Sequence, residues 1–148
     1  MASPYRFLLE ALRAHCNLPP FPDPIPSNQL TLELQAGPAI HIDFNEETSL
    51  ILLVAEIGTY DLQEEHEVLS KIAQANFLWA ATAGATLSAR PEIQMVYLAQ
   101  QSPITTLDGE KFVELVEKFV ATSEQWQSIV KKKENAAGSQ EKSASAGE

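Results

Sequence analysis

Basic residues are scarce in this chain, and their scarcity argues against two classes of partner. Ten Lys and Arg stand against twenty Asp and Glu, so the 148 residues carry a net charge of −10. Between His15 and Ser70 no Lys or Arg occurs at all, whereas ten carboxylates do. Nucleic acids and anionic membrane surfaces are bound mainly through Lys and Arg, so we expect neither as a partner.

Cysteine and long apolar runs are also nearly absent. Cys16 is the single cysteine, so no internal disulfide can form, and a reducing cytoplasm is the expected compartment. The longest apolar run, 50–55, is far shorter than the roughly 20 residues that cross a bilayer. The stretch 1–16 lacks the basic start and unbroken apolar core of a signal peptide. We therefore expect no targeting segment and no membrane insertion.

Enzyme motifs are missing as well. The six glycines form neither a GxGxxG nor a P-loop pattern, and no Ser lies in a GxSxG setting. Cys16 follows His15, but neighbouring helical side chains point about 100° apart, which disfavours a thiolate–base pair. His41 and Asp43 share a strand face and could supply two metal ligands, but a third is missing, and the glutamates around His66 form no HExxH motif. We predict no catalytic residue, no metal and no cofactor.

The spacing of apolar residues predicts eight secondary-structure elements. Helical spacing predicts three helices, over 4–15, 68–79 and 105–130. Alternation and short apolar runs predict five strands, over 30–34, 40–44, 50–55, 85–89 and 93–100. The order α-β-β-β-α-β-β-α is typical of an α+β fold with an antiparallel sheet, and the first three strands form a meander.

One folded domain, 1–130, is predicted, followed by a disordered polar tail, 131–148. The chain is long enough for a single domain with its own core. The tail contains no apolar residue larger than Ala, so it has nothing to bury. The segment 19–26 holds five prolines in eight residues and is an extended connector within the domain.

The run 72–130 resembles the second half of the type III secretion chaperones of the Tir chaperone (CesT/SycE-like) family. In that family a helix ending near an Asn leads into a small-residue break and a strand; a second strand then leads into a final helix with an aromatic near its close. The residues in these places are Ile72, Asn76, Gly84, Leu87, Leu107, Phe112 and Trp126. The first half agrees in pattern, with an amphipathic helix before three strands.

The resemblance implies a homodimeric virulence chaperone of the bacterial cytoplasm that uses no ATP and is not an enzyme. It implies binding of the N-terminal chaperone-binding segment of one or more secreted effector proteins, which is kept secretion-competent and delivered to the export apparatus. The export-apparatus ATPase is a further partner under this interpretation. The dimer interface is expected at Phe77, Leu78, Trp79 and Leu87.

We expect the effector groove on the first helix and the strands beside it. Apolar residues cover more of that helix than one sheet face can bury, and the strands offer two alternating apolar sets. An edge strand would add backbone pairing with the effector. The predicted effector-binding residues are Phe7, Leu8, Leu9, Leu12, Leu30, Leu32, Ile40, Ile42 and Leu52.

Two other functions stay open at the level of the sequence. YbjN-like proteins share this topology without a secretion role, and the genomic neighbourhood would separate them from secretion chaperones. An enzyme with a site of scattered residues is the other alternative. A turnover that is lost when His41 or Asp43 is changed would favour it.

Overall fold

A computed structural model describes residues 4–22, 25, 28–33 and 37–146, with side chains as far as Val130. Its three helices are α1 (Pro4–Cys16), α2 (Glu65–Ala75) and α3 (Gly109–Ala146). Its five strands are β1 (Gln29–Leu32), β2 (Ile40–Asn45), β3 (Leu50–Thr59), β4 (Thr86–Arg90) and β5 (Met95–Pro103). The predicted α+β order is confirmed. Residue 34 of the first predicted strand lies outside the described residues.

The five strands form one antiparallel sheet in the order β1-β2-β3-β5-β4. β1, β2 and β3 make the predicted meander, and β4 pairs with β5 as a hairpin. The central strand is β3, which pairs with β2 on one side and β5 on the other. β1 and β4 are therefore the two edges of the sheet, and each edge borders one of the candidate surfaces described below.

The core lies against one face of the sheet and takes side chains from all three helices, including Ile72 and Ala75 of α2. α3 packs against β3, and α1 packs against α3. Alternate residues of β3 point into this layer, and Ile51, Leu53 and Ala55 are completely buried. The helices fill it with Leu9, Leu12, Phe112 and Phe119. Each such side chain contributes about 1.5–3 kcal/mol, since burial removes its apolar surface from water.

The other face of β3 is only partly covered within the protomer. The run 50–55 is apolar at every position, which predicts a central strand covered by a helix on one side and by a ligand or partner on the other. Leu50, Leu52 and Val54, on the face away from the core, are only half-buried. β3 is central, as predicted, but only one of its faces is completely buried in the protomer.

The second helix ends earlier than its apolar spacing predicts. α2 stops at Ala75, and the next residue, Asn76, turns its side-chain amide toward the edge of β4. Asn76 Nδ2 donates to the Leu87 carbonyl at 2.7 Å, and the Leu87 N–H donates to Asn76 Oδ1 at 2.8 Å. Leu78 and Trp79 then adopt left-handed φ angles of 56° and 55°, which no α-helix contains. The predicted continuation of the helix to Trp79 is therefore wrong.

The last helix, α3, extends through Ala146, whereas composition predicts disorder from residue 131 onward. The side chains of the predicted tail, 131–148, lie outside the described residues, so the division into a domain and a dispensable tail stays a prediction. Truncation after Lys131 should change the melting temperature by no more than about 2 °C, because the removed side chains have little to bury. Differential scanning calorimetry of the truncated and full-length chains tests this, and a large loss of stability would contradict it.

Within the described residues, none of the helices combines the length and the apolarity that crossing a membrane requires.

Candidate functional site

The predicted effector-binding residues divide into a buried group and an exposed group. Those with at most 6% of their surface exposed are Leu8, Leu9, Leu12, Leu32, Ile40 and Ile42. The members on α1 belong to the core with side chains of α3, and the members on β1 and β2 lie on the sheet face that borders this core. The remaining three keep surface: Phe7 is 63% exposed, and Leu30 and Leu52 are half-buried. Leu32, Ile40 and Ile42 share the core face of the sheet with Leu53 and Ala55, whereas Leu52 lies on the opposite face, so the apolar strand residues do not all face one core.

A groove lies where α1, α3 and β1 meet; we call it the α1–α3 groove. Its volume is about 200 Å³ and its walls are almost entirely apolar. Two of the predicted residues, Leu12 and Leu32, form part of its surface. The lining residues that the sequence analysis did not assign to a binding site are Cys16, Leu18, Val116, Glu117, Val120, Ala121 and Glu124. The sequence contains one indication of this lining: Val116 and Val120 are four residues apart, so they lie on one face of a helix.

The rim of the α1–α3 groove is acidic. Glu117 and Glu124 both belong to α3 and border the groove. The His15 ring at the end of α1 pairs with the Glu117 carboxylate, so this contact ties the two helices together at the rim. Both side chains are about half exposed, and exposed ion pairs of this kind stabilise a fold by only about 0–1 kcal/mol. The negative charge of Glu117 and Glu124 therefore contributes little to the stability of the fold and more to the choice of the group that binds in the groove.

Cys16 borders the groove without the properties of a nucleophile. Burial raises the pKa of its thiol, and the nearby Glu117 carboxylate raises it further. A thiol with a raised pKa stays protonated at neutral pH and reacts slowly. Cys16 therefore lines the groove as a contact residue and not as an activated thiolate.

The edge strand β1 runs beside the groove, and its Leu32 side chain forms part of the groove wall. β1 pairs with β2 along Gln29–Leu32. In an edge strand, every second N–H and C=O points away from the neighbouring strand, where an added strand can pair with them. An apolar binding groove and the unpaired backbone groups of an edge strand therefore lie side by side.

A second apolar surface lies at the opposite edge of the sheet, where α2 leads into β4. Phe77, Leu78 and Trp79, which we call the 77–79 cluster, are 74%, 72% and 52% exposed. Left-handed backbone at Leu78 and Trp79 lowers the stability of the fold by about 1–2 kcal/mol per residue. The exposed position of these side chains is therefore maintained at a cost in folding free energy. The fourth predicted interface residue, Leu87, is 2% exposed and belongs to the protomer core. Its side chain is therefore not available to a partner.

Two of the histidines considered for catalysis or metal binding each contact a side chain of another element. His41 Nδ1 lies 3.0 Å from the Thr31 hydroxyl across the β1–β2 pair, and His15 contacts Glu117. Across 4–22, 25, 28–33 and 37–130, no three His, Cys, Asp or Glu side chains are grouped as metal ligands would be.

Comparison with known proteins gives a family and a fold. The sequence model of the Tir chaperone protein (CesT) family matches residues 7–127. No curated protein sequence matches the chain. A solved structure of the HopA1–SchA chaperone–effector complex is similar with a TM-score of 0.66 and 14% identity, covering 87% of this chain and 94% of that one.

Two further solved structures have the same fold. The ExsC–ExsE complex is similar with a TM-score of 0.66 and 17% identity, covering 85% of this chain and 92% of that one. The heterodimeric ExoU–SpcU complex from the type III secretion system of Pseudomonas aeruginosa is similar with a TM-score of 0.64 and 16% identity, covering 82% of this chain and 95% of that one. The family model matches most of the sequence, so the chain belongs to the Tir chaperone protein (CesT) family.

Proposed function

We propose that this chain is a type III secretion chaperone that binds the N-terminal chaperone-binding segment of one or more secreted effector proteins. The observation that carries the proposal is the apolar α1–α3 groove beside the edge strand β1. Family membership supports it, as does the fold shared with a chain of the HopA1–SchA chaperone–effector complex. The role is binding and delivery, without catalysis.

An extended effector segment fits this geometry. Its backbone adds to the edge of β1, while an apolar side chain enters the groove next to Leu32. Glu117 and Glu124 at the rim favour a Lys or Arg beside that anchor, and the net charge of −10 steers basic segments toward the chaperone. A segment held in this extended form stays unfolded, which is the state that export requires.

The functional unit is a cytoplasmic homodimer joined through the 77–79 cluster. An apolar patch of this prominence is unusual on a monomer. The cluster borders β4 and the α1–α3 groove borders β1, so a second copy can dock at one edge without covering the other. The dimer then presents two effector grooves and hands its cargo to the export apparatus, with the export ATPase as its partner there.

Co-expression tests the proposed function directly. The chain is produced together with N-terminal segments of candidate secreted proteins, and each mixture is separated by size-exclusion chromatography. We expect one or more segments to co-elute with the chaperone. If none of a complete set of secreted proteins from the same genome co-elutes, the proposal is contradicted.

Filling the groove should abolish effector binding without unfolding the protein. Ala121 lines the groove and is exposed, so Ala121→Trp places an indole where the anchor would sit. We expect a loss of about thirtyfold or more in affinity, since one anchor contact is typically worth over about 2 kcal/mol. Isothermal titration with a co-eluting effector segment measures it.

The matched control is Lys118→Trp, an equally bulky change at an exposed position of α3 that does not line the groove. Both variants should give the circular dichroism spectrum of the wild type. Equal affinity of the Ala121→Trp and wild-type proteins would place the effector elsewhere.

A further inference from the structure

The loop between α2 and β4 holds an unfavourable backbone conformation in a fixed position. Leu78, Trp79 and Ala83 all have left-handed φ angles between 54° and 56°. Non-glycine residues adopt this conformation only where surrounding contacts enforce it. The exposed side chains of the 77–79 cluster point away from the protomer, so the enforcing contacts must come from residues behind them.

Trp126 of α3 supplies one of these contacts. Its indole Nε1 donates to the carbonyl of Ala81 at 3.1 Å, across 45 residues of sequence. Trp126 is 7% exposed whereas Ala81 is exposed, and the hydrogen bond between them is partly buried. An indole N–H on a side chain this buried is unfavourable without an acceptor, so the bond fixes the loop to the helix.

Thr82 supplies a second contact from inside the loop. Its side chain is completely buried, and its hydroxyl is within hydrogen-bond distance of two carbonyls, those of Trp79 and Ala85. The Gly84 N–H also donates to the Trp79 carbonyl at 3.0 Å. Trp79, a member of the exposed cluster, is therefore held through its backbone while its side chain remains 52% exposed.

We propose that Trp126 and Thr82 are positioning residues for the dimer surface, holding the 77–79 cluster in the conformation that a second copy recognises. The inference rests on the proposed homodimer. Neither residue needs to contact the partner, because both act through the loop backbone. Preorganisation of this kind strengthens association by removing the cost of ordering the loop when the partner binds.

The test uses variants that remove one hydrogen-bonding group each in the full chain. Trp126→Phe keeps an aromatic ring but loses the N–H, and Thr82→Val keeps the shape but loses the hydroxyl. Sedimentation equilibrium gives the dimer dissociation constant, and hydrogen–deuterium exchange reports the amides of 77–85. We expect a dissociation constant about tenfold higher, which corresponds to about 1.4 kcal/mol, together with faster exchange of those amides.

Phe112→Leu is the matched control for general destabilisation. Phe112 is a completely buried aromatic on the same helix, about 21 Å from Trp126 along its axis at 1.5 Å per residue. It should lower the melting temperature while leaving the dimer constant unchanged. A purely structural role of Trp126 predicts instead that Phe112→Leu weakens the dimer as much as Trp126→Phe does.

Three outcomes would overturn the inference. The first is a Trp126→Phe or Thr82→Val protein that dimerises as tightly as the wild type. The second is equal weakening by Phe112→Leu. The third is a wild-type monomer, which overturns the proposed homodimer itself and is recognised before any variant is compared.

Discussion

Leu78→Glu should convert the dimer into a monomer at concentrations where the wild-type protein is dimeric. Leu78 is 72% exposed in the protomer, so its side chain is free to meet a second copy. Two-fold symmetry repeats the change, which places two carboxylates in one interface between acidic subunits. A loss of about 2 kcal/mol at each of the two positions amounts to roughly a thousandfold in the dissociation constant.

The change should leave the fold intact. Leu and Glu are both unbranched at Cβ, so the left-handed backbone at this position is no more strained with Glu than with Leu. Sedimentation velocity over a concentration series measures the dissociation, and circular dichroism confirms folding. Leu62→Glu is the matched control. Leu62 is likewise an exposed leucine, with 63% of its surface accessible, and it lies in the 3₁₀ turn Leu62–Glu64, outside the cluster. A Leu78→Glu protein that stays dimeric would show that the two-fold contact lies elsewhere.

The elements and their order could be predicted from the sequence because the apolar period changes clearly along the chain. The alternation in Ile40, Ile42 and Phe44 predicts β2, and the unbroken run 50–55 predicts the central strand. Tight turns between them leave little choice but antiparallel pairing. These features are local, so they are readable without knowledge of the tertiary contacts.

The end of α2 was not predictable in this way. Phe77, Leu78 and Trp79 follow the helix without a Gly or Pro, and their apolar character continues the pattern. The helix ends because the Asn76 amide pairs with both backbone groups of Leu87, eleven residues ahead. Leu87 lies next to Asn76 only because β4 is paired into the sheet. The helical spacing of apolar residues carries no sign of it.

The candidate site was located only in part. An apolar stripe on α1 indicates that something covers it, but the sequence does not say whether the cover is α3 or an effector. In the fold α3 packs on α1, and Leu8, Leu9 and Leu12 are buried, so most of the stripe is core. The groove forms farther along, where Leu12 meets Val116 and Val120 of α3. Its position depends on how two helices 100 residues apart cross, which is a tertiary property.

Leu9→Asp should unfold the protein, contrary to the role of Leu9 as an effector-binding residue. Leu9 is completely buried in α1, among the largest side chains of the core. Removing a buried leucine side chain alone costs about 2–5 kcal/mol. The replacement also buries a carboxylate, which must either remain charged without a partner or take up a proton, and each alternative adds to the cost. A domain whose total stability is about 5–15 kcal/mol retains little or none after such a change.

Phe7→Asp, on the same helix, is the control that distinguishes a surface position from the core position of Leu9. Phe7 is 63% exposed, so the same carboxylate placed there stays in water and should shift the melting temperature only slightly. Thermal unfolding followed by circular dichroism compares the two variants, and a cooperative transition near that of the wild type is expected for Phe7→Asp alone. A folded, cooperative Leu9→Asp protein would mean that α1 lifts readily from α3. In that case the effector could bind where α3 now packs, and the α1–α3 groove would be only the entrance to a larger site.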